Sequence, residues 1–97
     1  MALKTKPFDP AEYLDDDEGI AAYLDEAMST GDPKFIAKSL GVVARARGMT
    51  QIAKDTGLSR ESLYRALGDD GNPEFATLLS VIAALGLQLR VATKPQQ

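Results

Sequence analysis

Four side chains near the middle of the chain have the types and spacing needed to read base edges in duplex DNA. Arg60, Glu61, Tyr64 and Arg65 fall on one face if residues 60–67 are helical, because positions four apart lie above one another. An arginine can donate two hydrogen bonds to guanine O6 and N7. A carboxylate can accept one from cytosine N4, and an apolar surface can contact the thymine methyl. This face is typical of a helix that enters the major groove.

Each of these residues also has a plainer interpretation. The two arginines could contact phosphates in place of bases, or be ordinary solvated side chains. Glu61 would lie in the first turn of the helix, where an acid stabilises the helix dipole, and Tyr64 could cover the core. The surrounding pattern favours DNA contact for Arg60 and Arg65 and leaves the choice between base and phosphate open.

The elements that must position this face are predicted to be two short helices within residues 50–67, a helix-turn-helix. Gly57 ends the first helix where a positive φ is needed. Ser59 caps the second, and Ser62 replaces the Glu or Gln of a full capping box. The apolar positions that would pack the two helices together are Ile52, Ala53, Leu58, Leu63, Ala66 and Leu67.

Three more helices are predicted from caps and apolar periodicity. One starts at Asp16 or Asp17 and ends at Gly31, the next runs from Asp32-Pro33 to Gly48, and the last from Asn72-Pro73 to Gly86. Asp9-Pro10-Ala11-Glu12 predicts a further helical turn to about residue 14.

After Gly86 the apolar period changes to two, which predicts a short strand over 87–92 with Leu87, Leu89 and Val91 on one side. A single strand leaves its backbone groups unpaired, so the N-terminal arm or a second copy is expected to complete a sheet. The fold expected is one all-α domain. It has an acidic arm and helix (1–32), a helical core (33–86), the strand and a tail (93–97).

Charge is distributed unevenly along the 97 residues, whose net charge is −3. Residues 1–32 hold two lysines against nine acids, a net −7, whereas residues 33–67 hold seven basic residues against two acids, a net +5. The basic centre is suited to a polyanion and the acidic arm to a second partner. The alternative for the arm is a solvated helix start.

Composition excludes most catalytic chemistry. With no histidine and no cysteine, the chain lacks the commonest general base and thiolate metal sites, and it suits a reducing cytoplasm. Asp15-Asp16-Asp17-Glu18 lacks the spacing of a calcium loop, and Gly68-Asp69-Asp70-Gly71 lacks that of a phosphate loop. No apolar run approaches the ~20 residues of a membrane span. We expect the protein to have no enzyme activity, to bind no cofactor and not to associate with a membrane.

Two segments resemble phage-repressor-type helix-turn-helix proteins: residues 50–67 and NPEFATLLSVIAALGLQLRV at 72–91, which matches the helix that closes the five-helix domain of that family. The first half, FDPAEYLDDDEGIAAYLDEAMSTGDPKFIAKSLGVVARARGMTQIA, resembles the antidote proteins of bacterial addiction modules, in the branch similar to HigA.

This resemblance implies a homodimeric repressor of its own operon that also neutralises a co-expressed toxin, usually a small ribonuclease of RelE-like fold. The family's base-reading positions fall on Ser59, Arg60, Glu61, Tyr64 and Arg65. The sequence departs from the family at Gln51, which precedes Ala53 by two residues where four are usual. Thr50 is therefore the expected N-cap of the first motif helix.

Three sets of contact residues are expected. Those for duplex DNA are Arg47, Thr50, Gln51, Lys54, Ser59, Arg60, Glu61, Ser62, Tyr64 and Arg65. Those for the toxin, where aromatic side chains stand among carboxylates, are Phe8, Tyr13, Asp15, Asp16 and Asp17. Those for dimerisation are Leu87, Leu89 and Val91. The alternatives are a stand-alone regulator without a toxin, and an adaptor that has lost DNA binding.

Overall fold

The computed structural model describes residues 16–95, which form five helices and no strand. The helices are α1 (Asp17–Ser29), α2 (Pro33–Arg47), α3 (Met49–Thr56), α4 (Arg60–Ala66) and α5 (Phe75–Ala84). The all-α prediction is confirmed for this part of the chain. The helical turn expected at 9–14 lies outside the described residues.

The first two helices begin where the sequence places aspartate caps. The Gly19 N–H donates to Asp16 Oδ1 at 2.7 Å, and the Lys34 N–H donates to Asp32 Oδ1 at 3.1 Å, with Pro33 in the first turn of α2. Each cap satisfies one of the amides that a helix start leaves unpaired. The predicted cap of α2 is confirmed at Asp32, and of the two residues predicted as the cap of α1, the structure selects Asp16.

The core lies between α2 and the four other helices. Leu40 and Val43 of α2 are completely buried, and α2 contacts α1, α3 and α5. The remaining large buried side chains of the cluster are Ile20, Leu24, Met49, Ile52, Leu63, Leu67, Val81, Ile82 and Leu85. Because α1 contributes Ile20 and Leu24 to this cluster, the acidic first helix is part of the domain. Tyr23 also packs against the core.

The predicted strand at 87–92 is wrong. The Leu87 N–H donates to the Ile82 carbonyl oxygen at 3.1 Å and the Gly86 N–H to Ala83 at 2.9 Å, which closes α5 with a Schellman motif. Gly86 has a φ of +80°. Leu87 therefore belongs to the end of a helix, and the following residues have no partner strand within 16–95. An extended segment without a partner forms no sheet.

The predicted start of α5 is also wrong by two residues. Glu74, and not Asn72, is the N-cap residue, and Phe75, and not Pro73, is the first helical position. A β-carbon on Gly71 would lie 2.1 Å from the Ala66 carbonyl oxygen, so the chain runs directly over the end of α4. The chain uses the residues between Gly71 and Glu74 to move away from the end of α4, and α5 begins only after them.

Candidate nucleic-acid interface

Helix α4 has one buried and one exposed face. Leu63 is completely buried, whereas its neighbour Tyr64 is 43% exposed. Arg60, Glu61 and Arg65 are exposed as well. The structure therefore brings together on one outer face the four side chains that the sequence singled out, and Tyr64 is not enclosed by the core.

The start of α4 is held by two serines. The Ser62 N–H donates to Ser59 Oγ at 3.0 Å, and the Ser59 hydroxyl donates to Ser62 Oγ at 2.9 Å. The capping role predicted for Ser59 is confirmed. The Ser59 hydroxyl thus bonds both to the backbone and to Ser62, and it stabilises the start of the helix that carries Arg60 and Arg65.

The turn between α3 and α4 is held by Gly57 and Thr56. Gly57 has a φ of +77°, and its N–H donates to the Ala53 carbonyl oxygen at 2.9 Å. Thr56 Oγ1 donates to the Ile52 carbonyl oxygen at 2.8 Å and accepts from the Leu58 N–H at 3.2 Å. The left-handed conformation favours glycine because it has no Cβ. The threonine contact was not among the sequence predictions.

The exposed face of α3 carries Thr50, Gln51 and Lys54. Gln51 Nε2 donates to Asp55 Oδ1 at 2.9 Å, which engages the amide within α3. The i, i+4 spacing of these two residues is a signal that sequence reasoning could have used. The prediction of Thr50 as N-cap is wrong. Gly48 holds that position without a side-chain cap, because the chain passes directly from α2 into α3 and Met49 and Thr50 are already helical.

Arg47, which precedes α3, has an ion-pair partner in the start of α1. Its guanidinium forms an ion pair and hydrogen bond with Asp17, thirty residues earlier in the chain. The sequence assigned these two residues to different surfaces, one for DNA and one for a toxin. No local pattern predicts the pair, since only the packing of α1 on α2 brings the two side chains together.

The residues expected to bind a toxin lie partly outside the described chain: Phe8, Tyr13 and Asp15 fall there. Of the other two, Asp16 caps α1 and Asp17 pairs with Arg47. Both carboxylates thus have partners within the domain, and both remain exposed.

The residues expected at a dimer interface become more exposed along the C-terminal segment. Leu87 is half-buried, Leu89 is 41% exposed and Val91 is 98% exposed. On α5, Phe75 and Leu79 are exposed one turn apart. Phe75, Leu79, Leu89 and Val91 are thus large apolar side chains exposed to solvent, and each is a candidate for contact with a partner. No helix within residues 16–95 has the length and hydropathy required to cross a bilayer.

Comparison with known proteins places the chain among antidote proteins. The family model described as "Probable addiction module antidote protein" matches residues 4–93. An uncharacterized protein of Haemophilus influenzae (strain ATCC 51907 / DSM 11121 / KW20 / Rd) is 48% identical over 91 residues, which cover 94% of each chain. No solved structure matches this chain. Because the family model spans nearly the whole sequence, the chain belongs to the family of probable addiction module antidote proteins.

Proposed function

We propose that this protein is the antitoxin of a bacterial type II toxin–antitoxin module and a repressor of its own operon. In this proposal α3 and α4 are a helix-turn-helix of the phage-repressor type, related to that of HigA-like antitoxins. The observation that carries the proposal is α4 itself. Its start is capped by Ser59, its inner side is buried at Leu63, and its outer side presents Arg60, Tyr64 and Arg65.

DNA reading is assigned to α4 and phosphate contact to α3. In helix-turn-helix proteins the second helix lies in the major groove and the first crosses the backbone. We assign base or phosphate contacts to Arg60 and Arg65, and phosphate contacts to Thr50 and Lys54. Gln51 is a weaker candidate because Asp55 already holds its amide.

A homodimer supplies the geometry for an operator with two half-sites. Two copies of α4 would occupy successive major grooves about 34–36 Å apart on a near-palindromic sequence. The exposed apolar residues Phe75, Leu79, Leu89 and Val91 are our candidates for contact with a second copy. Dimerisation through α5 and the segment after it would bury them.

The toxin is proposed to bind the acidic N-terminal part of the chain, in the cytoplasm. Family membership implies a toxin partner in general, and the finer proposal is a RelE-like ribonuclease. Residues 16–32 contain six carboxylates and no lysine or arginine. Such a segment complements a basic surface, and Phe8 and Tyr13 would add apolar anchors.

DNA binding is tested with a duplex taken from the region upstream of the protein's own reading frame. Affinity measured by fluorescence anisotropy should fall steeply between about 50 and 200 mM salt, because each phosphate contact releases counterions. A duplex of the same length and scrambled sequence should bind more weakly. Equal affinity for both duplexes would leave only nonspecific binding, and absence of binding would favour an adaptor.

Toxin binding is tested by co-expression with the product of the adjacent reading frame and affinity purification. The two proteins should co-purify, and Phe8→Ala with Tyr13→Ala should reduce the yield of complex. Tyr64→Ala is the matched control, since Tyr64 lies on the opposite functional surface in this proposal. If no neighbouring product co-purifies while operator binding persists, the protein is a stand-alone regulator.

A further inference from the structure

The Asp17–Arg47 ion pair connects the two surfaces that the proposed function assigns to different partners. Arg47 is the last residue of α2 and directly precedes Gly48, the N-cap residue of α3. Asp17 is the first residue of α1 and follows the cap Asp16. The pair therefore links the acidic start of α1 to the entry of the helix proposed to cross the DNA backbone.

We propose that Asp17 masks Arg47 as a phosphate ligand in the free protein, and that a cationic group of a bound partner at Asp17 releases it. This inference rests on the proposed DNA binding. A carboxylate and a phosphate offer the same kind of charged oxygen acceptors to a guanidinium. While Asp17 occupies Arg47, that guanidinium is less available to DNA.

The exposure of the pair makes the exchange feasible. The Asp17 side chain is 73% exposed and that of Arg47 is 34% exposed, so both can be reached by other molecules. Exposed ion pairs are weak and screened by salt. When Arg47 pairs with a DNA phosphate, condensed counterions are released from the DNA, and this release favours the phosphate. The pair between Arg47 and Asp17 has no such contribution.

The Asp17–Arg47 pair couples partner binding to DNA binding, and each is expected to strengthen the other. A lysine or arginine of the partner that pairs with Asp17 leaves Arg47 free for a phosphate, so partner binding strengthens DNA binding. By thermodynamic linkage, DNA that occupies Arg47 strengthens partner binding by the same factor. Since one exposed ion pair is involved, the factor is about two- to fivefold.

The test removes the Asp17 carboxylate by mutation and measures DNA binding in the absence of the partner. Asp17→Asn deletes the carboxylate, and Glu18→Gln is the matched control. Glu18 is an exposed acid in the same turn that makes no ion pair within residues 16–95. Both changes remove one negative charge. Each is made in the wild-type chain and in Arg47→Gln, and affinity for the upstream duplex is measured between about 50 and 200 mM salt.

Asp17→Asn is expected to bind DNA about two- to fivefold more tightly. The slope of log affinity against log salt should steepen by up to about 0.9, the contribution of one fully gained phosphate contact. Glu18→Gln should give a smaller gain with the wild-type slope. In the Arg47→Gln background, Asp17→Asn should behave as Glu18→Gln does.

Equal behaviour of Asp17→Asn and Glu18→Gln in the wild-type chain would overturn the inference. A gain that persists without Arg47 would overturn it as well. Asp17→Ser, which also suits a helix start, replaces Asp17→Asn if thermal unfolding shows that the amide variant is destabilised. Failure of every variant to bind DNA would instead overturn the proposed function, so the two failures are distinguishable.

Discussion

Gly41 in the middle of α2 lies directly against the carbonyl oxygen of Leu67, the C-cap residue of α4. A β-carbon built on Gly41 would be 2.7 Å from that oxygen and 3.4 Å from the Leu67 Cβ. Real β-carbons are not found so close to a backbone oxygen. The helix α2 can therefore lie this close to the end of α4 only because residue 41 has no side chain. This contact helps to position the far end of the helix that carries Arg60 and Arg65.

Gly41→Ala should therefore destabilise the protein, although alanine is the better helix former by about 1 kcal/mol. Displacing the Leu67 backbone is expected to cost about 1–3 kcal/mol, as overpacking in a core does. Thermal and urea unfolding followed by circular dichroism measure the change. Ala46→Gly at an exposed position of α2 is the control, and it should destabilise by about 0.5–1 kcal/mol through propensity alone. A stabilised Gly41→Ala variant would show that the contact relaxes freely.

Ser59→Ala should lower the free energy of unfolding by about 1 kcal/mol, because the Ser62 N–H loses its side-chain acceptor. Ser59→Asn should retain most of the stability, since asparagine is an equally good cap. Ser80→Ala, at an exposed position of α5, is the control and should change little. If the alanine and asparagine variants unfold alike in urea, the hydroxyl does not act as a cap.

Arg65→Ala should weaken binding to the upstream duplex more than binding to a scrambled duplex. A bidentate contact to guanine contributes about 1–3 kcal/mol of discrimination, whereas a phosphate contact contributes equally to both duplexes. Lys34→Ala removes an exposed positive charge at the opposite end of α2 from Arg47 and should leave the ratio of the two affinities unchanged. Equal losses on both duplexes would make Arg65 a phosphate contact.

Val91→Asp should shift the protein from dimer to monomer in sedimentation velocity, because it places a charge in a surface that a second copy is proposed to cover. Val91 is 98% exposed in the single chain, so the substitution should not affect folding of the monomer. Ala92→Asp adds the same charge one residue later and should have a smaller effect. A wild-type protein that sediments as a monomer would contradict the proposed dimer.

Local sequence was sufficient wherever a single residue's side chain or backbone decides the structure. Asp16, Asp32 and Ser59 cap helices as predicted, and Gly57 and Gly86 adopt positive φ at helix ends. These features depend on residues within one turn of each other, so their pattern can be read along the chain. The exposed face of α4 follows from the same periodicity.

Sequence reasoning failed where the deciding partner is distant or missing. The alternation at 87–91 suits a strand, but the described chain provides no second strand, and α5 uses Leu87 to close its end. Asn72-Pro73 suits a helix start, but the passage of Gly71 over Ala66 delays α5 by two residues. Periodicity records what a segment can do, and packing determines which possibility is realised.

The sequence by itself determined a mainly helical chain with a polar, partly basic helix face at 60–65 and an acidic first third, because caps, apolar spacing and charge are local properties. Only the tertiary structure decided that α1 belongs to the core through Ile20 and Leu24, and that Asp17 meets Arg47. Those relationships join residues from different helices. They exist only when burial of the shared apolar core brings the helices together.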